Sequence, residues 1–335
     1  MQILSAQPLQ RDDKPSPTLG QIADEWLESL SSGVKFSTLS AYSAIAAKYI
    51  PEELRSKPVS RVTASDIRQL LRAAEHPPGR AELSLSRMHS ISTVICSILD
   101  YARGNGLSAV VYRQERGRSG AARHEIDPLT LSEQERLEKW LLANLDESTL
   151  GVLICLYTGL RLGEICAIKW GDVSFADSAL RVRRTVQRVS IPGGGGGEGR
   201  TRLMFDTPKS RSANRFVPLP AFLLDVMRPF RGDDAAFILT GSSERCIEPR
   251  TYQNRFHSML RAAGLRQVNF HTLRHTFATS CISLGCDTKT LSEILGHADV
   301  GVTLNIYVHP SVPAKRELVE RLSGRSGHAT PDCGA

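Results

Sequence analysis

One stretch of the sequence, residues 271–307, combines residue types that could carry out chemistry on a phosphate group. His271 and Arg274 are three residues apart, so in a helix both side chains would leave the same face. His297 follows in a Gly-His turn, and Tyr307 comes ten residues later. A phenol can act as a nucleophile when cationic groups hold the group it attacks. This stretch supplies the phenol, one arginine and two imidazoles, so a second cation and a proton donor must come from elsewhere.

Two upstream motifs could supply those groups. Arg161 lies between two glycines in TGLRLGE, at the end of an apolar segment, and an arginine leaving such a segment needs an anionic partner. Lys209 lies in a Thr-Pro-Lys-Ser turn, from which a long ammonium side chain could reach a leaving group. Each residue alone also has an ordinary explanation. Arg161 could pair with Glu164, Lys209 could be solvated, and the remaining candidates could cap a helix, occupy a turn or pack.

Positive charge is concentrated in one segment. The chain has 335 residues and a formal net charge of +7. Residues 179–216 hold nine Lys and Arg against two Asp and Glu, an excess equal to that of the whole chain. Such a segment is typical of binding to a phosphate backbone, with a solvated strand face as the alternative. The candidate nucleic-acid contacts are Arg181, Arg183, Arg211 and Arg215.

Apolar periodicity predicts a helical N-terminal domain over residues 18–107, after a flexible tail at 1–17. Thr18 and Gln21 have the spacing of a capping box, and Thr63 is expected to cap a third helix. The four helices are predicted to begin near residues 19, 37, 64 and 84, and the last ends at Gly104-Asn105-Gly106. Residues 108–127 lack periodicity and are predicted to be a linker.

Residues 128–323 are predicted to form a second domain of mainly α structure with a small antiparallel sheet, followed by a tail at 324–335. The overall fold class is therefore α+β. Helices are expected at 132–142, 150–160, 165–170, 220–228, 249–263, 272–284, 288–295, 301–308 and 313–323. Strands are expected at 180–190, 200–206 and 215–219, where apolar residues alternate with basic or polar ones. Five consecutive glycines, Gly193–Gly197, indicate a flexible hairpin insertion.

Composition narrows the class of protein. The sequence has no apolar run of about 18 residues and does not begin like a signal peptide, so we expect no membrane segment. Its seven cysteines are scattered and without CxxC spacing, which favours a reduced, cytoplasmic protein and indicates no zinc site. No acidic cluster suggests a metal, and we expect neither metal nor cofactor.

Taken together, the order RLGE, TPK, HTLRH, LGHAD and then tyrosine resembles the tyrosine recombinase (phage integrase) family over residues 18–323. The resemblance implies an N-terminal SAM-like core-binding domain of four helices and a tyrosine-recombinase catalytic domain. The implied activity is site-specific cleavage and rejoining of DNA through a 3′-phosphotyrosyl intermediate, without ATP or metal. The leading biological role is integration and excision of a mobile element.

The same resemblance implies a role for each candidate residue. Tyr307 would be the nucleophile, and Arg161 and Arg274 would clamp the non-bridging phosphate oxygens. Lys209 would protonate the leaving 5′-oxygen, and His271 would take part in proton transfer with the tyrosine. The two remaining residues are His297, which would hydrogen-bond the phosphate, and Glu164, which would orient its neighbours.

Double-stranded recombination sites are the implied partner, with a tetramer on DNA formed through a C-terminal helix at 313–322. The alternative is that this helix packs on its own domain. An accessory directionality factor is a further candidate partner, and the bound enzyme would be nucleoid-associated. One alternative is a Xer-like chromosome-dimer resolvase or an invertase, favoured because only 17 residues precede the first helix, too few for an arm-binding domain. A type IB topoisomerase shares the chemistry, and a non-cleaving DNA-binding protein is the alternative from another class.

Overall fold

The computed structural model describes residues 16–79, 81–107, 109–112, 127–191, 201–206, 214–297 and 301. These residues form two compact units. The first contains the described residues up to 112 together with 189–191 and 201–202, and the second contains the rest. Several predictions lie outside the described residues: the positions of Lys209, Arg211 and Tyr307, the insertion Gly193–Gly197 and the helix at 313–323. Both tails and the linker lie largely outside as well, so the domain boundaries stay predictions.

The first unit is helical, and several of its helices begin at capping residues that the sequence reveals. They are α1 (Leu19–Leu30), α2 (Phe36–Tyr49), α3 (Glu52–Arg55), α4 (Ala64–Glu75) and α5 (Leu85–Gly104). Thr18 caps α1, because its hydroxyl accepts from the Gln21 amide while the Gln21 side chain accepts from the Thr18 amide. Thr63 caps α4 in the same way with Asp66. The four predicted helices are present, and the short α3 is an addition to them.

These helices are held together because each buries one apolar face. The shared core is made of side chains at helical spacing, including Leu19 and Ile22 of α1, Ile67 of α4, and Ile91 and Ile98 of α5, all at most 1% exposed. Trp26 of α1 stacks on Tyr42 of α2, 5.5 Å between ring centroids. The unit therefore has a core of its own.

The second unit is a set of helices around one buried helix. Its helices are α6 (Leu131–Ala143), α7 (Glu147–Thr158), α8 (Leu162–Ile165), α9 (Ala221–Met227), α10 (Pro249–Ala262), α11 (His271–Ser283) and α12 (Thr288–Leu295). Nearly every side chain of α7 is buried, which explains its almost continuous apolar sequence. The predicted bounds of 150–160 for this helix were wrong. Asp146 caps it at the start by accepting from the Thr149 amide at 2.7 Å, and Gly159, with φ +62°, ends it.

The strands form two small sheets within the described chain. Strands β1 (Val173–Ser174), β2 (Ala179–Val182) and β5 (Arg215–Pro218) form an antiparallel sheet in the order β1-β2-β5. Strands β3 (Thr185–Ser190) and β4 (Thr201–Asp206) form the other. The single strand predicted at 180–190 is thus two strands. They separate at Arg183 and Arg184, whose side chains both bond to the buried carboxylate of Asp172.

None of the helices in the described ranges is long and apolar enough to cross a membrane.

Candidate active site

Four of the six predicted catalytic residues lie in the described part of the chain, and all four belong to the second unit. Arg161 occupies the turn between α7 and α8, and His271 and Arg274 lie in the first turn of α11. His297 follows Gly296, the residue that ends α12. These four residues therefore lie at the ends of three separate helices, α8, α11 and α12. The other two predicted catalytic residues, Lys209 and Tyr307, lie outside the described residues.

Arg161 is held in its turn by Glu164. The backbone amide of Arg161 donates to Glu164 Oε2, and its Nη1 donates to Glu164 Oε1, both at 2.9 Å. The ion pair that sequence spacing allowed is therefore real. It does not exclude a functional role, because 38% of the arginine side chain is still exposed.

Gly163 allows this turn to lie against the neighbouring strand β3. A Cβ atom at this position would come within 2.6 Å of both Thr185 Oγ1 and the Val186 carbonyl oxygen. Any side chain here would push the turn and the strand apart. Close packing against β3 therefore explains the glycine of the RLGE motif, and the same packing fixes the position of Arg161.

Arg274 is the most deeply buried of the site arginines, with only 1% of the residue exposed. Its Nη1 donates to the Gly159 carbonyl at 2.9 Å, and its Nη2 donates to the Leu295 carbonyl at 2.8 Å. Both acceptors lie at the C-terminal ends of helices, where carbonyl groups lack intrahelical donors and carry partial negative charge. Burial of this guanidinium is therefore compensated by polar partners, and its plane is fixed.

Three successive carbonyl groups at the end of α12 each accept a hydrogen bond from a different arginine. Ile294 accepts from Arg215 Nε at 2.5 Å, Leu295 accepts from Arg274 Nη2 at 2.8 Å, and Gly296 accepts from Arg161 Nη2 at 3.3 Å. We call residues 294–296 the carbonyl end of α12. It gathers three guanidinium groups around one helix terminus, immediately before His297.

Arg215 was predicted as a DNA contact, and its surroundings argue for another role. Its Nη1 and Nη2 donate to the two carboxylate oxygens of Glu164, both at 3.1 Å, and both side chains are 5% exposed. Burial would raise the pKa of Glu164, but the hydrogen bonds and charge of Arg215, with the charge of Arg161, leave that pKa below its ordinary value. Glu164 is therefore a buried carboxylate, and Arg215 is its counter-ion rather than an exposed cation.

The other predicted DNA contacts differ in exposure. Arg181 is exposed on β2, and its guanidinium lies 5.6 Å from the ring centroid of Phe216, which is 66% exposed. Arg183 is 43% exposed but donates to the buried carboxylate of Asp172 at 2.6 Å. Arg211 lies outside the described residues. Of these arginines, Arg181 is the one that the structure presents on an exposed sheet face.

The site histidines lie in positively charged and partly desolvated surroundings. Desolvation, followed by the charges of Arg274 and Arg161, lowers the pKa of His271. Desolvation and then the charges of Arg274, Arg161, Arg215 and His271 lower the pKa of His297 to about 4. Both imidazoles are therefore neutral at pH 7, so each can accept a proton or donate a hydrogen bond.

His275, which is not among the residues predicted from sequence, is a neighbour of the site. It is 3% exposed, and its ring meets that of His271 edge to face with centroids 4.6 Å apart. Burial, then the charges of His271 and Arg274, lower its pKa to about 4. The HTLRH spacing could have indicated it, since His271 and His275 are four residues apart on one helix face.

Comparison with known proteins shows which family and which proteins this chain is similar to. The model of the phage integrase family matches residues 131–313. A XerC-like tyrosine recombinase of Caldanaerobacter subterraneus is 29% identical over 51% of this chain, and the match spans about half (48%) of that relative. A putative prophage phiRv2 integrase of Mycobacterium tuberculosis is 27% identical over 93% of this chain and 80% of the relative.

The fold is also that of a solved integrase. The structure of the Tn1549 transposon integrase in complex with transposon right end DNA superimposes with a TM-score of 0.74. The alignment covers 91% of this chain and 99% of that chain at 20% sequence identity. The mainly helical architecture with small sheets is therefore shared with that protein.

Proposed function

The chain belongs to the phage integrase family, and from that premise we propose that it is a site-specific recombinase that cleaves and rejoins DNA through a covalent tyrosine intermediate. Its relatives include both a prophage integrase and a XerC-like tyrosine recombinase. The observation that carries the proposal is the arrangement of Arg161, Arg274, His271 and His297. Two anchored guanidinium groups lie close enough to two neutral imidazoles to lower the pKa of both. Such a set of hydrogen-bond donors can bind the oxygens of a phosphodiester and stabilise the charge that develops on them.

In the proposed reaction the Tyr307 hydroxyl attacks the scissile phosphorus and the bond to the 5′-oxygen breaks. His271 accepts the phenolic proton, which a phenol with an ordinary pKa of about 10 retains at pH 7. Lys209 gives a proton to the leaving 5′-oxygen. The products are a 3′-phosphotyrosyl bond and a free 5′-hydroxyl, and attack by another 5′-hydroxyl reverses both steps. The phosphodiester energy is kept, so the reaction needs no ATP.

The arginines and His297 would act on the phosphate itself. Arg161 and Arg274 would donate to the non-bridging oxygens, whose charge grows in the pentacoordinate transition state. Because the carbonyl end of α12 and the turn at Gly159 already hold both guanidinium groups, little reorganisation is needed when DNA binds. His297, as a neutral imidazole, would donate one further hydrogen bond.

We assign the biological role to integration and excision of a mobile element, because the integrase match covers 93% of this chain. The XerC-like relative supports a chromosome-dimer resolvase as the second candidate. In either role the substrate is a pair of double-stranded sites. The working assembly would be a tetramer on DNA, joined through the segment at 313–322, with a directionality factor as an accessory partner. The cytoplasm, at the nucleoid, is the proposed place of action.

A covalent-trapping experiment tests the reaction. Wild-type protein and Tyr307→Phe are each incubated with nicked DNA from the junctions that flank this gene, then denatured in SDS. We expect wild type to form a DNA–protein adduct with a free 5′-hydroxyl and Tyr307→Phe to form none. Tyr101→Phe, which removes the hydroxyl of a half-buried tyrosine in α5, is the control and should behave as wild type.

Each other outcome has a definite meaning. An adduct that persists in Tyr307→Phe would show that a different residue attacks. Tight binding by wild type without any adduct would favour the non-cleaving DNA-binding protein. Relaxation of supercoiled DNA that lacks paired sites would favour a type IB topoisomerase.

A further inference from the structure

We propose that Arg215 is a positioning residue for strand cleavage, because its guanidinium joins Glu164, which holds Arg161, to the carbonyl end of α12, which leads into His297. This inference rests on the proposed recombinase function and adds a residue to it. Arg215 would touch neither DNA nor the reacting atoms. It would act by holding Arg161 and His297, the two groups that would contact the phosphate, in place.

The first link is the carboxylate of Glu164, which is bonded from two sides. Oε1 accepts from Arg161 Nη1 at 2.9 Å and from Arg215 Nη1 at 3.1 Å. Oε2 accepts from the Arg161 amide at 2.9 Å and from Arg215 Nη2 at 3.1 Å. Each carboxylate oxygen of Glu164 therefore accepts a hydrogen bond from both arginines. Without Arg215 the buried carboxylate would keep its Arg161 bonds but lose the partner that compensates for its burial.

The second link is the helix end that carries His297. The Nε atom of Arg215 donates to the Ile294 carbonyl at 2.5 Å, three residues before His297. The next two carbonyls hold Arg274 and Arg161. One guanidinium thus fixes the β5 strand, the RLGE turn and the end of α12 relative to one another. A displacement of about 1 Å between these segments would misplace both the phosphate clamp and the imidazole.

The geometry requires arginine at this position. The guanidinium directs two parallel bonds at a carboxylate and a third bond from Nε in the same plane, which an ammonium group cannot do. Direct contact with a DNA phosphate would require breaking the pair with Glu164, because the Arg215 side chain is only 5% exposed. Arg181, an exposed arginine on the neighbouring strand β2 of the same sheet, provides the comparison. It lies directly opposite Phe216 of β5, the residue that follows Arg215.

The test separates positioning from DNA contact. The rate of adduct formation at saturating DNA and the DNA dissociation constant are measured for wild type, Arg215→Lys, Arg215→Met and Arg181→Ala. We expect both Arg215 variants to slow adduct formation by about 100-fold at unchanged affinity. Arg181→Ala, at the exposed candidate DNA contact, should instead weaken binding and reduce the magnitude of the salt slope by about 1.

A second measurement excludes a merely structural effect. Arg215→Met is combined with Arg161→Lys, which keeps a charge but loses the fixed fork. If Arg215 acts in part through Arg161, its removal should slow this variant by a smaller factor than it slows wild type, since the interacting pair is already impaired. A general loss of folded protein would slow both backgrounds by the same factor. If Arg215→Met does not fold, as judged by thermal unfolding, Arg215→Lys carries the comparison.

Three results would overturn the inference: a wild-type rate in both Arg215 variants, a loss of affinity and salt slope like that of Arg181→Ala, or slowing that multiplies independently with Arg161→Lys. If wild-type protein itself forms no adduct, the proposed function fails and the inference fails with it. An adduct from wild type with any of the three results above rejects the inference alone.

Discussion

At the scale of single residues, arginines of one sequence segment differ in what surrounds them. Arg215 and Arg181 are on neighbouring strands, yet the first is buried against a carboxylate and the second is exposed beside a phenyl ring. Arg161 and Arg274 combine anchoring with a place in the site. The chemical type of a residue thus restricts its roles, and burial selects among them.

His275 should make stability depend on pH. Its folded pKa of about 4 lies below the ordinary 6.5, so the unfolded chain binds the proton more tightly. The contribution of neutral His275 to the free energy of unfolding is fully present above pH 6.5 and is lost as the pH falls towards 4. We expect His275→Asn to lower the free energy of unfolding at pH 7.5 through lost packing but to flatten the decline between pH 6.5 and 4. The difference in decline should be on the order of 2 kcal/mol.

Urea unfolding at pH 7.5, 6, 5 and 4.5 measures this difference. Parallel curves for wild type and His275→Asn would show that the proton taken up on unfolding is not bound by His275.

At the scale of secondary-structure elements, helix ends build the site. The N-terminal turns of α8 and α11 carry Arg161, His271 and Arg274, and the C-terminal ends of α7 and α12 supply the carbonyl groups that hold the arginines. Helix interiors satisfy their own backbone groups, whereas the last turn leaves carbonyls available. The positive side chains therefore find acceptors at these ends, where the helix dipole also favours them.

Gly296 should matter to catalysis beyond its effect on stability. It ends α12 in the left-handed region at φ +66°, and its carbonyl accepts from Arg161. Gly296→Ala should cost about 1 kcal/mol, because a Cβ atom is disfavoured at this φ, and it should also slow adduct formation by shifting the carbonyl end. The rate of covalent trapping and the melting temperature are measured together.

Gly285→Ala is the matched control. Gly285 has φ +82° and an open space around its Cβ position, and none of the hydrogen bonds described for the site arginines involves it. It should lose similar stability and keep the wild-type rate. Equal slowing in both variants would mean that lost stability alone explains the effect of Gly296→Ala.

At the scale of the whole molecule, the two units have separate apolar cores. Ile98 of α5 is 1% exposed in the core of the first unit, and Leu153 of α7 is fully buried in that of the second. Each core is large enough to be expected to fold cooperatively. The chain would then combine two independently stabilised bodies, while the domain boundaries at 18–107 and 128–323 stay predictions.

Cavities in each core should therefore have local effects. Ile98→Ala should destabilise by about 2–5 kcal/mol and accelerate amide hydrogen exchange in α4 and α5, while α7 and α10 keep their protection. Leu153→Ala should produce the reverse pattern. Hydrogen exchange followed by mass spectrometry gives the result for each helix. Accelerated exchange in all four helices from either substitution would show that the units unfold together.

Much of this protein could be read from sequence because the governing interactions are local. Apolar spacing predicted α1, α2, α4 and α5, and the capping pairs at Thr18 and Thr63 marked helix starts, since residues three or four apart meet within one helix. The chemistry of the RLGE, HTLRH and LGH motifs likewise led to Arg161, His271, Arg274 and His297, four residues that the structure brings into one unit.

The tertiary structure alone decided which arginines are buried and what they hold. Arg215 bonds to Glu164 and Ile294, 51 and 79 residues away, and no periodicity links such distant positions. The break between β2 and β3 likewise depends on Asp172, which lies outside both strands. These contacts arise from the packing of whole elements, whose burial determines whether a charged side chain needs an internal partner or remains exposed to solvent.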